Sequence, residues 1–440
     1  MKMSQNTNNP YSGYEKIVPS ENLVRFLFYF FTRQRELPWI KKSEEKTFNE
    51  QMYCSQLQSS AVKKYAKYRL LFVFLDKFFL KLFAPKNKEG DKKNILFYSL
   101  NYCDILREAK KYHNVGLLAC GRKDRLFAAK NFMGYVNVDD LDQYLLAYLK
   151  EKDMEYLFQL IKKLEEKLTA ACPDYIVLSN DILPMDRAVI LVAKKLGIVT
   201  IEIQHGLYVE SDIRATKGSI VDYILVWGQY FKELYVKSDI RKPEDIYVLG
   251  YPYAVEKHYP LENKKQYTVC CLGENFNTFN KDLLKIELDF VNNIFQICKR
   301  KKLNFIYRPH PSDDRELLEK KLPDVKFTSK GEKLKETFGN ADIFISFIST
   351  SLIEAAIRSK ICLELTNYPV KLEIPDYERL GVCNKTLQTY GELENYLDQI
   401  IESPNVNKFK LNFNNDYVET RYNPGQRFLE VIKELNNKKI

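Results

Sequence analysis

The chain has little histidine, little tryptophan and no closely spaced cysteine pair of the kind that binds zinc. Four histidines and two tryptophans stand among 440 residues. The nine cysteines lie at 54, 103, 120, 172, 270, 271, 298, 362 and 383, with no CxxC spacing. That pattern excludes the usual zinc motifs and a disulfide framework, and it fits reduced thiols in a cytosolic protein. No run of about 18 apolar residues occurs, so no membrane-spanning helix is expected. The polar, Asn-rich start, residues 1–10, lacks the basic-then-apolar build of a signal peptide. No GxxxxGK(S/T) loop is present, which excludes a P-loop nucleotidase, and no GxGxxG follows the first strand-like segment, so dinucleotide binding has no fingerprint. No DxD-like pair stands beside any of the strands read from the sequence below, which argues against a metal-dependent transferase. We therefore expect neither a metal nor a cofactor.

What is present is an ordinary globular composition, 45% apolar, with no low-complexity tract. At this length the chain is expected to form two domains or more. The net charge of +10 is uneven: residues 1–93 hold 18 Lys and Arg against 9 Asp and Glu, and the rest is close to neutral. Two aromatic-rich stretches, 23–31 and 70–83, lie in this segment. In the second, Arg69, Asp76, Lys77 and Lys81 share one side of a helical wheel. Such a helix suits an anionic membrane face, and it suits a helical cap on the first domain equally well. No RNA- or DNA-binding motif accompanies the charge, so nucleic acid is not an expected partner.

From residue 94 the pattern alternates between strand and helix. Strands are read at 95–99, 115–119, 174–179, 198–203, 223–227 and 246–249. Apolar residues recur at helical spacing through 141–171, and Pro184 and Gly197 bracket a helix over 184–196. A polar stretch with Pro260, residues 255–266, reads as a linker. A second series follows, with strands at 267–272, 303–307, 325–328, 342–346 and 361–365. Its helices are read at 282–301, 314–321, 333–339 and 351–359, and helical stretches at 391–401 and 424–436 end the chain. Alternation of this kind builds parallel sheets with helices on both faces. The expected domains are a helical, basic-aromatic extension (1–93), an acceptor domain (94–254), a linker (255–266), a nucleotide-donor domain (267–415) and a C-terminal helix (416–440) open to packing back on the first domain.

Two histidine motifs stand at strand ends, the edge where ligands bind in open α/β sheets. Gln204-His205-Gly206 follows the 198–203 strand, and Arg308-Pro309-His310-Pro311 follows the 303–307 strand. The prolines stiffen the second turn and are expected to hold Arg308 and His310 outward. A guanidinium and an imidazole together suit a phosphate or diphosphate. Further on, Ser346-Phe-Ile-Ser349-Thr350-Ser351-Leu-Ile-Glu354 reads as strand, hydroxyl-rich turn and helix. Ser349 or Thr350 would cap that helix, whose free N–H groups suit phosphate, and Glu354 would reach a ribose hydroxyl. An ordinary capping box using Ser351 or Thr350 with Glu354 is the competing reading. In the first domain Gly206 permits close backbone approach to a ligand. Asp181 ends another strand, Arg187 lies on the following helix, and either His205 or Asp181 could be the base. Tyr208, Glu210 and Asp212 are candidates to line an acceptor pocket. His113 and His258 have no such context and read as structural.

The stretches Ile201-Glu-Ile-Gln-His-Gly206, Asp222-Tyr-Ile-Leu-Val-Trp-Gly228 and Ile246-Tyr-Val-Leu-Gly-Tyr-Pro252 resemble bacterial capsule and surface-polysaccharide glycosyltransferases of the GT-B fold. The order Gln-His-Gly, Arg-Pro-His-Pro, Ser-Thr-Ser also resembles the wall teichoic acid glycerophosphotransferases and the bacterial sialyl- and Kdo-transferases. The resemblance spans roughly residues 174–365. It implies two doubly wound Rossmann-like domains facing a cleft, and an inverting, metal-independent transfer from a CMP- or UDP-linked sugar to a glycan or lipid-linked acceptor. Carried across, Arg308 and His310 would hold the donor phosphate, assisted by Ser349, Thr350, Ser351 and Glu354. His205, with Gln204, Gly206 and Arg187, would stand on the acceptor side, with Asp181 the competing base. Gly250-Tyr-Pro-Tyr253 departs from the family's Gly-Ser-Pro-Arg and so lacks its arginine. The expected setting is cytoplasmic, peripheral on the inner membrane face through residues 1–93. The alternatives are a CDP-glycerol or CDP-ribitol type polyol-phosphate transferase, a UDP-sugar 2-epimerase of the same fold, and a non-catalytic glycan-assembly subunit.

Overall fold

The computed structural model describes residues 11, 13–28, 78, 92–98, 100–208, 220–253, 255, 258–274, 281–311, 313–347, 349–367 and 376–438. The chain divides into two compact units, the first Met1–His205, Glu210–Ala254 and Tyr422–Ile440, the second Gly206–Val209 and Val255–Arg421.

The first unit is built on a seven-stranded sheet: β1 (Asn94–Tyr98), β2 (Asn114–Ala119), β3 (Gly134–Asn137), β4 (Tyr175–Leu178), β5 (Val199–Ile203), β6 (Tyr223–Val226) and β7 (Ile246–Val248). The order is β3-β2-β1-β4-β5-β6-β7, and every pairing is parallel. β4 and β5 are buried at every position, as strands covered on both faces must be. The direction of winding reverses between β1 and β4, which opens a crevice at their C-terminal ends. Proline at the first helical position starts the helix Pro184–Leu196, and Gly197, at φ 69°, ends it. The charged stretch over 141–171 is two helices, Asp142–Glu151 and Met154–Ala171. Lys152 breaks it by entering the left-handed region at φ 57°, and Asp153 restarts it by accepting the Glu155 N–H at 2.9 Å.

Part of the N-terminal segment docks on this unit. Leu23 and Leu27 of the short helix Leu23–Leu27 are fully buried. The Tyr14 hydroxyl donates to Glu165 at 2.7 Å, and Lys195 Nζ lies 4.2 Å from the Tyr14 ring centre. These contacts make residues 13–28 a cap over the helices Met154–Ala171 and Pro184–Leu196. The amphipathic stretch over 70–83 lies outside the described residues apart from Phe78. The C-terminal helix Pro424–Lys438 joins the first unit's core through Phe428, Val431, Ile432 and Leu435. Burying one such side chain contributes about 1.5–3 kcal/mol.

The second unit carries β8 (Thr268–Leu272), β9 (Asn304–Arg308), β10 (Ile343–Ser346), β11 (Ile361–Leu365) and β12 (Lys385–Leu387), in the order β12-β11-β10-β8-β9. All are parallel. The winding reverses between β8 and β10. The strand expected at 325–328 is instead a single bridge, Tyr307 to Phe327. Two hydrogen bonds hold it, Tyr307 N–H to Lys326 O and Thr328 N–H to Tyr307 O. The chain then turns away, and the Arg315 guanidinium donates to the Thr328 carbonyl. Among the described residues no helix is long and apolar enough to cross a membrane.

Candidate functional site

In the second unit the hydroxyl turn sits where β10 ends. Ser349 is the N-cap of the helix Thr350–Ile357, and its side chain accepts the Ser351 N–H at 3.3 Å. Thr350 and Ser351 occupy the first two helical positions, and all three side chains are half-buried. The helix therefore presents its unused N–H groups at the C-terminal edge of the sheet, the arrangement that attracts phosphate. Glu354 lies beyond the first turn, so no capping box joins it to Ser351 or Thr350. Its carboxylate lies 3.8 Å from Arg358.

The Arg-Pro-His-Pro turn differs from expectation in one respect. Arg308, the last residue of β9, turns into the fold. Its Nη1 donates to Thr337 Oγ1 at 2.8 Å and to the Glu332 carbonyl at 3.2 Å. Strand alternation explains this: Tyr307 is fully buried on one face, so Arg308 falls on the other, beside the helix Leu334–Asn340. The prolines hold only His310 outward. His310 is exposed, and its backbone N–H donates to Asp313 Oδ2 at 2.7 Å. Partial loss of solvation lowers its pKa from 6.5, so the ring is mostly neutral at pH 7. A neutral imidazole offers phosphate one N–H rather than a full charge.

Two residues that motif reading passed over organise this edge. Gly273 follows β8, and a Cβ placed there would lie 2.8 Å from the His310 backbone nitrogen and 3.1 Å from Pro309 Cα. Only glycine lets β8 and the turn after β9 come this close. Glu274, next in sequence, accepts the Ser346 hydroxyl and, at 2.9 Å, the Phe347 N–H. Ser346 Oγ in turn accepts the Ser349 N–H at 2.9 Å. One carboxylate thus ties the end of β8 to the turn that starts the helix Thr350–Ile357, at the reversal point of the sheet. The signal was Leu272-Gly273-Glu274, a glycine and an acid immediately past a strand. Behind it are two further acids. Glu287 takes the Tyr307 hydroxyl at 2.7 Å, and burial raises its pKa. Glu364, fully buried on β11, takes the Thr386 hydroxyl at 2.6 Å and the Tyr377 N–H at 3.2 Å. Its pKa is pushed up to about 7, first by burial.

In the first unit His205 stands exposed just past β5. Solvent reaches its ring, yet the protein crowded around it lowers the pKa from 6.5. A hydrogen bond from the ring to the Ser179 backbone carbonyl opposes that shift only in part. Asn101 Nδ2 donates to Ser179 Oγ at 2.8 Å, and the Tyr102 hydroxyl donates to the Ile203 carbonyl at 2.7 Å. These bonds knit the turns after β1, β4 and β5 into one rim. Asp181 lies under this rim, 2% exposed, near Asp186 at the start of the helix Pro184–Leu196. Burial, and then the charge of Asp181, push the Asp186 carboxyl well above its usual range.

The acceptor-side expectation fails for two residues. Gln204 is fully buried, its Oε1 accepting the Trp227 backbone N–H at 2.9 Å and its carbonyl accepting Trp227 Nε1–H at 2.6 Å. Arg187 is 2% exposed, with its guanidinium 4.7 Å from the Phe26 ring centre. Both side chains are buried within the first unit. Gly206 and Tyr208 are half-buried beyond His205, and Glu210 and Asp212 lie outside the described residues. Among the described residues no cluster of three His, Cys, Asp or Glu side chains could hold a metal ion.

No family model and no curated protein matches this sequence. Solved structures do match its fold. The UDP-GlcNAc 2-epimerase from Methanocaldococcus jannaschii is 16% identical with a TM-score of 0.53, over 77% of this chain and 99% of that one. The enzyme of that name from Neisseria meningitidis, bound to UDP-GlcNAc, is 13% identical with a TM-score of 0.53, over 77% and 99%. Anabaena Alr3699/HepE, in complex with UDP and glucose, is 12% identical with a TM-score of 0.51, over 78% and 99%. What the chain shares with them at such identities is the fold, α/β and GT-B-like, with two parallel Rossmann-like sheets.

Proposed function

We propose that this chain is an enzyme acting on a nucleotide sugar, and that it transfers the sugar with inversion, without a metal, to a glycan or lipid-linked acceptor. The observation that carries the reading is the pairing of the Ser349-capped helix with the exposed His310 on one sheet edge, together with an exposed His205 on the corresponding edge of the other sheet. The free N–H groups of the helix Thr350–Ile357 would hold the donor phosphate, and His310 would add one donor. His205, neutral at pH 7 because its pKa is lowered, would take the proton of the acceptor hydroxyl. The acceptor oxygen would then bond to the anomeric carbon from the face opposite the departing nucleotide, and the sugar–phosphate bond would break. Asp181, at 2% exposure, is less open to an acceptor, which favours His205 as base. The motif order shared with capsule and surface-polysaccharide transferases makes such a polysaccharide the proposed product.

A second reading is 2-epimerisation of a UDP-sugar. Two of the fold relatives above bear that name, each aligned over 99% of its length. Epimerisation must remove a proton from one face of the sugar and return it to the other, so it needs two groups. The buried acids Asp181 and Asp186 of the same unit could supply the second. A proton NMR time course with UDP-GlcNAc alone separates the readings. Conversion to an epimer with no acceptor present supports the second. Stable UDP-GlcNAc that is consumed, with release of nucleotide, only when a glycan acceptor is added supports the first.

A further inference from the structure

We infer that the outer face of the helices Cys103–Lys110 and Arg122–Lys130 docks on an anionic lipid bilayer. These helices lie on the first unit's sheet next to β2 and β3. Their outer surface carries the exposed cations Arg107, Lys110, Lys111, Arg122, Lys123 and Lys130. Asp104 and Glu108 are the acids of these two helices that meet this surface, and they pair with Arg107 and Lys111. Asp124 is turned inward and accepts the Cys120 N–H.

Three large apolar side chains project from the same surface. Phe132 is 88% exposed, Tyr112 56% and Leu126 49%. Phe132 also sits in the left-handed region at φ 48°, a backbone conformation that disfavours a bulky residue. A folded chain gains nothing from holding a phenyl ring in water on a strained turn. Tyr112 and Phe132 each follow the C-terminal end of one of the two helices. Lys110 Nζ bonds the Asn131 carbonyl and joins those two ends, and Arg107 lies 5.9 Å from the centre of the Phe127 ring between the helices. The apolar tips and the cations therefore belong to one surface. Aromatic side chains inserted at the headgroup level, among lysines and arginines, are the composition of an interfacial membrane anchor. A protein partner would ask for fewer lysines at the centre of its contact. This surface is built from residues of the folded first unit alone. The inference is independent of which reaction the enzyme catalyses.

The test uses the full chain and sedimentation with vesicles of phosphatidylcholine alone or with 30% phosphatidylglycerol, at about 0.1 M salt. The expected result is binding to the anionic vesicles only. The pair Leu126→Ser and Phe132→Ser should reduce it at least tenfold. The pair Lys123→Glu and Lys130→Glu should reduce it by a similar factor, since each cation near the surface is worth about fivefold. Both pairs alter exposed positions, and an unchanged circular dichroism melting curve would show that each variant is folded. Wild-type chain that ignores the anionic vesicles would overturn the inference. So would variants that bind as wild type does, because binding would then run through another surface. A concentration-dependent dimer abolished by Phe132→Ser would also overturn it, by assigning the face to a second copy.

Discussion

Replacing Gly273 by alanine tests the geometry of the second sheet edge most severely. The new Cβ would meet the His310 backbone nitrogen at 2.8 Å, Tyr307 Oη at 3.0 Å and Pro309 Cα at 3.1 Å. Ordinary contact lies near 3.5–4.0 Å, so the turn must retreat by roughly 0.5–1 Å. Two of the three obstacles, including the nearest, are backbone atoms, and a rotamer change cannot move them. Overpacking of this kind costs about 1–3 kcal/mol, or about 2–4 °C in melting temperature for each kcal/mol in a domain of this size. The retreat also carries His310 away from any bound phosphate, and a misplacement near 1 Å lowers turnover by about 10²-fold. Gly391→Ala is the control, because its Cβ would meet only Thr389 Oγ1 at 3.9 Å, and alanine is the better helix former by about 1 kcal/mol. Thermal melting and calorimetric titration of UDP or CMP would be run on both variants. If Gly273→Ala melts and binds nucleotide as wild type does, the close approach of β8 to the His310 turn is not what holds the site.

Glu274→Ala removes the acceptor of two hydrogen bonds and frees the turn before the helix Thr350–Ile357. With about 1.5–3 kcal/mol for each hydrogen bond to a charged group, it should lower stability by a few kcal/mol in urea unfolding. Nucleotide affinity should fall with it, while Glu274→Gln, which keeps one acceptor oxygen, should lose less of both. The raised pKa of Glu364 predicts a pH signature. Its native value of about 7 exceeds the ordinary 4.5, so its contribution to stability is fully present below about pH 4.5 and is lost as pH rises through 7. Glu364→Gln should therefore be more stable than wild type at pH 8, by on the order of 1–3 kcal/mol, with the gain fading toward pH 5. A gain that does not vary with pH would show that Glu364 is ionised throughout. His205 as base predicts an acid limb in kcat/KM that falls below pH 6.5, because protonation disables it. His205→Ala should abolish that limb and lower kcat by about 10²–10⁴-fold. An acid limb that survives in the variant would assign the base to another group.

Much of the architecture was legible because its signals are local. Pro184 and Gly197 mark both ends of one helix, and the unbroken apolar runs of β4 and β5 mark buried parallel strands. β3 and β12 escaped notice because Gly134-Tyr-Val-Asn137 and Lys385-Thr-Leu387 are too short and too polar to show a period. The strand expected at 325–328 had the right residues but only one paired position, since tertiary hydrogen bonds decide where an edge strand stops. That Ser349 caps a helix and that His310 faces outward could be read from strand-end position alone. The inward turn of Arg308 could not, because it depends on Thr337 and Glu332 about 25–30 residues later in the chain. The burial of Gln204 is illegible for a similar reason. Its partner is Trp227, on the neighbouring strand's end, and nothing within the Gln-His-Gly motif reveals that the first residue is a brace while the second is exposed. Glu274 was overlooked because an acid after a strand is common, and its importance comes from Ser346 and Phe347, some seventy residues away.

If the second unit holds the phosphate of a nucleotide sugar with the Ser349-capped helix and His310, calorimetric titration of CMP, CDP, UDP and GDP into wild type, Ser349→Ala and His310→Ala will show it. One of these nucleotides should bind wild type, and each substitution should weaken it by about tenfold or more, as expected for loss of one phosphate hydrogen bond. Binding of none of the four, or binding that both substitutions leave unchanged, would contradict it.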